Sequence, residues 1–186
     1  SASSSGRFFI WDMGSRGKIR SESYRTNITN LEGLAVLPCG DKMLLQGRSP
    51  NIAGELEKSV VLLQLDWSRL GHFQQLARFM ARDYRPECRP CPLPDASRFA
   101  TCGFSGVDLW DLDDTMGTVS KPVAQYEVDG KARSLAVTPG GEWLIAGTTN
   151  GLVLRRLGGD ALAPDSLHFT DCGNVETLAV DSDGDH

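Results

Sequence analysis

The residues with the clearest chemical potential are two cysteines separated by two positions, Cys88 and Cys91. This spacing is half of a structural zinc site, which needs four ligands in a tetrahedron. No second pair with that spacing follows, and Cys102, His72 and His168 stand isolated in the sequence. The pattern therefore favours a proline-stiffened loop, with zinc binding as the lesser alternative.

Other catalytic or ligating patterns are equally sparse. Residues 181–185 alternate aspartates with a glycine, like the start of a calcium loop, but the later ligands do not follow in the given residues, so we interpret the run as a hairpin turn. Ser105 lies in a predicted hairpin turn and not in a nucleophile elbow. With three histidines in the chain, a general acid–base set is hard to assemble. We therefore expect a protein that is not an enzyme and needs no cofactor.

Four arginines lie within a dozen positions: Arg78, Arg82, Arg85 and Arg89. If residues 73–84 form a short helix, the first three share one face at i, i+4 and i+7 and could contact an anion such as RNA phosphate. Acidic neighbours dilute that charge, and the formal net charge of the chain is -5. A nucleic-acid groove is not favoured, because neutralising phosphates requires a basic stripe.

The composition indicates one soluble domain built from many short elements. A length of 186 residues fits a single domain, and 40% hydrophobic residues are enough for a core. The 20 glycines and 9 prolines indicate frequent turns. No apolar run approaches the length of a membrane span, and five scattered cysteines do not form a dense secreted framework. We expect an intracellular protein, cytoplasmic, nuclear or within an organelle.

A repeated hairpin pattern organises the chain. The stretches LAVLPCGDKMLLQG from Leu34, LAVTPGGEWLIAG from Leu135 and LAVDSDGDH from Leu178 share an apolar-Ala-apolar start followed by a turn, and CPLPDASRFATCG from Cys91 is a degenerate copy. The turns at positions 38, 94, 139 and 182 are 56, 45 and 43 residues apart. A step near 40–45 residues is typical of a four-stranded propeller blade, and the longest step indicates an insertion of about a dozen residues.

The third apolar run of two repeats ends in a Trp-Asp dipeptide, at Trp11-Asp12 and at Trp110-Asp111. Together with the hairpins and the Asn-Gly turn at 150–151, this pattern resembles the WD40 family of β-propellers over nearly the whole chain. The resemblance implies an all-β propeller of four-stranded antiparallel blades. It also implies a polar tetrad, represented here by Thr101 and Trp110, and partner-binding loops on one rim.

We predict one propeller piece over residues 1–186, with about three full blades and partial blades at both ends. The partial blades are 1–30 and 174–186, and the full blades are about 31–85, 86–130 and 131–173. Two closures compete. Residues 1–17 and 174–186 could share a split blade in a four-bladed ring, or additional blades from the same or another chain could complete a ring of seven or eight. We prefer the larger ring, because the family resemblance implies that size.

We expect a non-enzymatic protein-protein interaction scaffold that acts as a subunit of a larger assembly. The candidate partner-binding residues on the rim are Arg48, Asn51, Glu55, Glu57, Asn27 and Arg89. Most of them come from the insertion at 48–59, which we predict to be a loop that is either disordered or in contact with a partner. One alternative is a ribonucleoprotein propeller that contacts RNA through residues 78–89. Another is part of a propeller enzyme whose site lies outside this sequence.

Overall fold

A computed structural model of the chain describes residues 7–12, 20–51, 53–66, 72–80, 88–103, 106–112, 117–119, 121–158 and 166–181. Within strands at 8–12, 20–25 and 117–119 it describes the backbone and not the side chains. All regular structure in these ranges is β-strand, as the sequence predicted, and they contain no helix. In particular, none of the described residues belongs to a helix that could span a membrane.

The strands form four sheets, which we name A to D in chain order. Sheet A pairs β1 (Arg7–Asp12) with β2 (Arg20–Arg25). Sheet B is an antiparallel succession of β3 (Thr29–Val36), β4 (Lys42–Pro50), β5 (Leu56–Leu65) and β6 (Phe73–Phe79). Sheet C orders β7 (Cys91–Pro92), β8 (Arg98–Cys102) and β9 (Gly106–Asp111) beside β11 (Ala124–Glu127). Sheet D orders β12 (Ala132–Val137), β13 (Trp143–Thr148), β14 (Gly151–Arg156) and β15 (Ser166–Phe169).

Sheet B also has a strand that the four-stranded pattern did not predict. The short β10 (Gly117–Val119) lies between β9 and β11 in sequence but pairs in parallel with β6. The outer edge of an antiparallel sheet presents unpaired backbone groups, and β10 satisfies part of the β6 edge. The strand therefore ties the connection between β9 and β11 to the preceding sheet.

The predicted hairpins of sheets B, C and D are confirmed, and their turns share one geometry. In each turn a residue with positive φ donates its amide to the carbonyl three positions earlier: Gly40 to Leu37, Ala96 to Leu93 and Gly141 to Thr138. The same carbonyl-bearing residue donates its own amide across the turn to the first residue of the next strand. This common geometry allows the three sheets to be aligned residue by residue.

Sheets B, C and D pack face to face. One face of sheet B meets sheet C in a buried cluster that includes Leu44, Leu62, Phe79, Phe99 and Trp110. The other face of sheet C meets sheet D in a second cluster of Leu93, Ala100, Cys102, Val107, Leu109, Ala132, Leu144, Ala146 and Val153, among others. Both faces of sheets B and C carry apolar side chains, since successive side chains of a strand point to opposite sides of the sheet.

The possible helix over 73–84 is wrong for residues 73–79, which form β6. A β-bulge displaces the pairing, because Leu62 is opposite Ala77 while Leu63 is opposite Gln75. Phe73 and Ala77 consequently pack on opposite faces of sheet B, although an even spacing would place them on the same face of a regular strand. The extra residue conceals the two-residue period that would have indicated a strand.

The predicted loop at 48–59 is also wrong for most of its length. Strand β4 continues to Pro50 and β5 begins at Leu56, so the insertion lengthens a hairpin. Three added pairs, Arg48 with Lys58, Ser49 with Glu57 and Pro50 with Leu56, extend the ladder. The inserted residues are therefore a structured projection with a short turn at its tip.

Candidate functional site

The hairpin of β4 and β5 extends further than its counterpart in sheet D. Alignment on the shared turns matches the Gly47–Ser59 pair of sheet B with the Thr148–Gly151 pair that closes the β13–β14 ladder. Sheet B adds three residue pairs beyond that level, and at roughly 3.4 Å per residue the extension is about 10 Å long. We call residues 48–58 the extended hairpin.

Asn51 holds the turn at the tip. Its amide donates to the Glu55 carbonyl at 2.8 Å, and its side-chain oxygen accepts from the Glu55 amide at 2.9 Å. Its side-chain nitrogen donates to the Glu57 carboxylate at 3.0 Å. Gly54 has a φ of 82° and donates to the Asn51 carbonyl at 3.0 Å. Three of the polar residues predicted for partner binding, Asn51, Glu55 and Glu57, thus shape the turn.

Arg78 of the neighbouring β6 strand braces the extended hairpin. Its two terminal nitrogens donate to the carbonyls of Pro50 at 2.5 Å and Ser49 at 3.0 Å. The same guanidinium lies 3.9 Å from the Glu57 carboxylate. Below it, the hydroxyls of Ser49 and Ser59 share a buried hydrogen bond of 2.6 Å. This combination fixes the projection on the sheet, because a planar guanidinium with several donors can hold two acceptors at once.

The extended hairpin stands on one edge of the sheets, which we call the rim. In sheets B and D, the antiparallel register places the end of the second strand beside the start of the first strand. In sheet C, the Cys88–Cys102 disulfide places the segment that enters the sheet beside the end of β8. The rim consists of residues 26–30, 48–58, 88–90, 128–131, 149–150 and 170–175. Two of its turns are joined by a hydrogen bond from Asn150 to the Asp129 carboxylate at 3.1 Å. Gln46 of β4, next to the rim, donates to the Cys88 carbonyl at 3.0 Å.

The predicted rim residues are only partly brought together. Arg48, Asn51, Glu55 and Glu57 all lie on the extended hairpin. Asn27 is exposed just before β3, and Thr29 of that strand donates its hydroxyl to the Arg48 carbonyl at 3.3 Å, so this segment lies beside the hairpin. Arg89 is exposed at the entry to sheet C. The sequence did not single out Leu56, whose side chain is 52% exposed at the tip.

Of the three arginines predicted for an anionic contact, only Arg78 lies in the described part of the chain. Arg78 directs its guanidinium at the backbone of the extended hairpin, on a strand and not on a helix. Arg82 and Arg85 lie outside the described residues. Ser105 and positions 182–185 of the acidic run also lie outside them, while Asp181 is exposed.

The cysteine pair has a different arrangement from the one its spacing suggested. Cys88 is bonded to Cys102 with their Cα atoms 5.8 Å apart, so its sulfur is not a thiolate ligand. Burial raises the pKa of the Cys91 thiol to about 11, which disfavours the thiolate that metals bind. Among the described residues, no group of three or more His, Cys, Asp and Glu side chains could hold a metal ion. The pairing was missed because Cys88 and Cys102 meet only through the fold of sheet C.

Two of the predicted signature residues form a buried hydrogen bond. The indole nitrogen of Trp110 donates to the Thr101 hydroxyl at 2.9 Å, between the adjacent strands β8 and β9. The indole also packs against Phe79 of sheet B at 5.8 Å between ring centroids. Asp111 ends β9. Trp11 and Asp12 end β1, but their side chains lie outside the described part of the chain.

No family model matches this chain, and comparison with curated proteins found no match. The geometry of the rim is therefore the basis for a functional proposal.

Proposed function

We propose that this chain is a non-enzymatic protein-protein interaction scaffold and that the rim is its partner-binding surface. The extended hairpin is the observation that supports this most. Hydrogen bonds that involve Asn51 or Arg78 hold a projection of about 10 Å that exposes Leu56 at its tip. An ordered projection loses little conformational entropy on binding, which favours affinity.

We propose further that sheets B, C and D are successive blades of a WD40-like propeller. The first strands of the sheets lie next to one another: a Cβ atom on Gly33 of β3 would lie 2.9 Å from Pro90, and β12 contacts both β7 and β8. Face-to-face packing of consecutive antiparallel sheets is the way blades bury their apolar surfaces. On this proposal sheet A is part of a preceding blade, and blade boundaries fall near residues 30, 85, 130 and 173.

The chemistry of the extended hairpin suits a protein partner better than a nucleic acid. The extended hairpin has charges of both signs near the exposed Leu56: Arg48 and Lys58 are opposite each other in the ladder, and Glu55 lies in the turn. A phosphate backbone requires a surface of one positive sign, whereas protein interfaces combine an apolar centre with a polar border. We therefore propose a partner that covers Leu56 and pairs with these charges.

The test is a binding measurement with matched variants. The purified chain is used to capture partners, and each captured protein is then purified and titrated against the chain and its variants. Leu56→Asp is expected to raise the Kd by about fivefold or more, as truncation of an interface anchor costs more than about 1 kcal/mol. Val123→Asp is the control, because Val123 is 58% exposed and lies outside the rim. Equal effects of the two substitutions would refute the proposal.

The RNA alternative is decided by the same material. If the chain binds RNA with a steep salt dependence that Arg82→Ala and Arg85→Ala reduce, a ribonucleoprotein role replaces the protein-binding role. Arg78→Ala is not expected to reduce this salt dependence, because the Arg78 guanidinium already donates to the backbone of the extended hairpin.

A further inference from the structure

Sheet D has one apolar face that is not packed against sheet C. Side chains alternate between the two faces along each strand, and the register aligns those of this face in two cross-strand rows. One row consists of Ala136, Ile145, Leu154 and Leu167, and the second includes Leu152 and Phe169. Leu167 is 39% exposed and Phe169 is 48% exposed. We call this surface the outer face of sheet D.

The same positions of sheet B are buried. Alignment on the shared hairpin matches Phe169 with Phe79 and Leu167 with Ala77, through the pairs Leu152–Phe169 and Val60–Phe79. Phe79 is 1% exposed, because sheet C covers it with Phe99 at 4.8 Å between ring centroids. The outer face of sheet D thus repeats, position by position, a face that in sheet B is covered by another sheet.

The segment 174–181 contacts the second strand of sheet D, just as the segment that enters sheet C contacts the second strand of sheet B. Val175 donates its amide to the Thr148 carbonyl at 2.9 Å, and a Cβ atom on Gly147 would lie 2.8 Å from the Val175 side chain. In sheet B, the residue aligned with Gly147 is Gln46, which donates to the Cys88 carbonyl. The next residues of sheet C form β7, its first strand. Residues 178–180 of the segment repeat the Leu-Ala-Val triplet that β3 and β12 contain.

We propose that the outer face of sheet D is a docking surface for a further antiparallel sheet of the same repeat, whose first strand is the segment 174–181. Leu154, Leu167 and Phe169 are its main contact residues. The inference rests on the stacked-sheet arrangement of the proposed function and adds the occupant of this face. The closest analogue of that occupant is sheet C, which covers the equivalent face of sheet B.

The test supplies such a sheet. A fused chain is made of residues 1–181 followed directly by residues 94–128, so that Asp181 takes the place of Leu93 before the turn and β8, β9 and β11 are repeated. Amide hydrogen exchange in β15 is expected to be about tenfold slower in the fused chain than in the unextended chain. Phe169→Asp is expected to abolish this protection and to lower the urea midpoint of the fused chain, with little effect on the unextended chain.

A second measurement, made on the unextended chain, tests the proposal even if the added residues of the fused chain do not fold. Binding of the apolar dye ANS to the unextended chain is expected to fall at least about twofold with Phe169→Asp and to be unchanged by Val123→Asp, because burial of apolar area drives such binding. Unchanged β15 exchange in a fused chain whose added residues are themselves protected overturns the proposal. If the added residues are unprotected, equal ANS binding by the two variants overturns it.

Other occupants give different results. A dimer of the unextended chain in light scattering that Phe169→Asp disrupts would identify a second copy as the occupant and overturn the proposal. The partner-binding role of the rim is tested separately, since Phe169→Asp is expected to leave partner affinity unchanged while Leu56→Asp lowers it. Unchanged β15 exchange in a fused chain whose added residues are protected, together with loss of partner binding in Leu56→Asp, would overturn the docking proposal alone.

Discussion

Replacing Arg78 with methionine tests whether one side chain keeps the extended hairpin ordered. Methionine retains the apolar stem and removes the guanidinium that donates to the carbonyls of Ser49 and Pro50. The Ser49 residue is 5% exposed, so its carbonyl regains little hydration, whereas Pro50 is exposed and its carbonyl is rehydrated. Hydrogen bonds to charged groups contribute about 1.5–3 kcal/mol. The Glu57 contact adds less than about 1 kcal/mol, because its side chain is 41% exposed.

The expected loss is therefore about 2 kcal/mol of local stability, mostly from the Ser49 interaction. By the relation between free energy and equilibrium constants, hydrogen exchange of the Asn51 amide should become about 30-fold faster. This amide is suitable because it donates to the Glu55 carbonyl only while the turn is closed. Amides of β13, in sheet D, serve as the internal control and should keep their exchange rates.

Arg78→Lys is the matched variant, since lysine keeps the charge but loses the planar pair of donors. Its exchange rate at Asn51 should lie between those of the original chain and Arg78→Met. Unchanged Asn51 exchange in Arg78→Met would refute the bracing role, and equal acceleration in β13 would show that the effect is global and not local.

Three further predictions concern the interior. Phe79→Ala should lower the free energy of unfolding by about 3–5 kcal/mol in urea titrations, because the ring is buried between two sheets; a loss under about 1 kcal/mol would contradict the packing. Thr101→Val should lower the free energy of unfolding by about 1–3 kcal/mol, because it leaves the buried Trp110 nitrogen without an acceptor. Thr101→Ser keeps the hydroxyl and should lower it much less, so equal losses in the two variants would argue against that hydrogen bond. Reduction of the Cys88–Cys102 disulfide should cost about 3 kcal/mol for a loop of 14 residues and lower the thermal midpoint of the chain. Cys102→Ser should lower the midpoint by a similar amount under non-reducing conditions, and an unchanged midpoint in both experiments would contradict the pairing.

The sequence was most informative where local chemistry determines structure. The turns after Val36 and Val137 were predicted because glycine at positions 40 and 141 permits positive φ, and the structure has that geometry in both. The turn of the degenerate copy was predicted from its place in the repeat, although Ala96, and not a glycine, has the positive φ there. Alternating third strands were likewise visible, because each must bury one face or both.

The missed features depend on residues distant in sequence. The bulge in β6 is visible only from the pairing of β6 with β5. The Cys88–Cys102 disulfide forms because β8 folds back beside the start of sheet C, which brings the two cysteines together. The extended hairpin contains Pro50 and Gly54, which locally indicate a loop. Its order depends on Arg78, 28 residues after Pro50, and no local pattern predicts that contact.

Sheets B and C are adjacent stacked units held by Phe79 and Trp110. The most direct measurement is a nuclear Overhauser spectrum of the chain with these two rings selectively labelled. Stacking of the two sheets predicts cross-peaks between the Phe79 ring protons and the Trp110 indole, since the ring centroids lie 5.8 Å apart in an edge-on arrangement. Strong cross-peaks within each sheet, without any between these two rings, would contradict the stacked arrangement and with it the proposed rim.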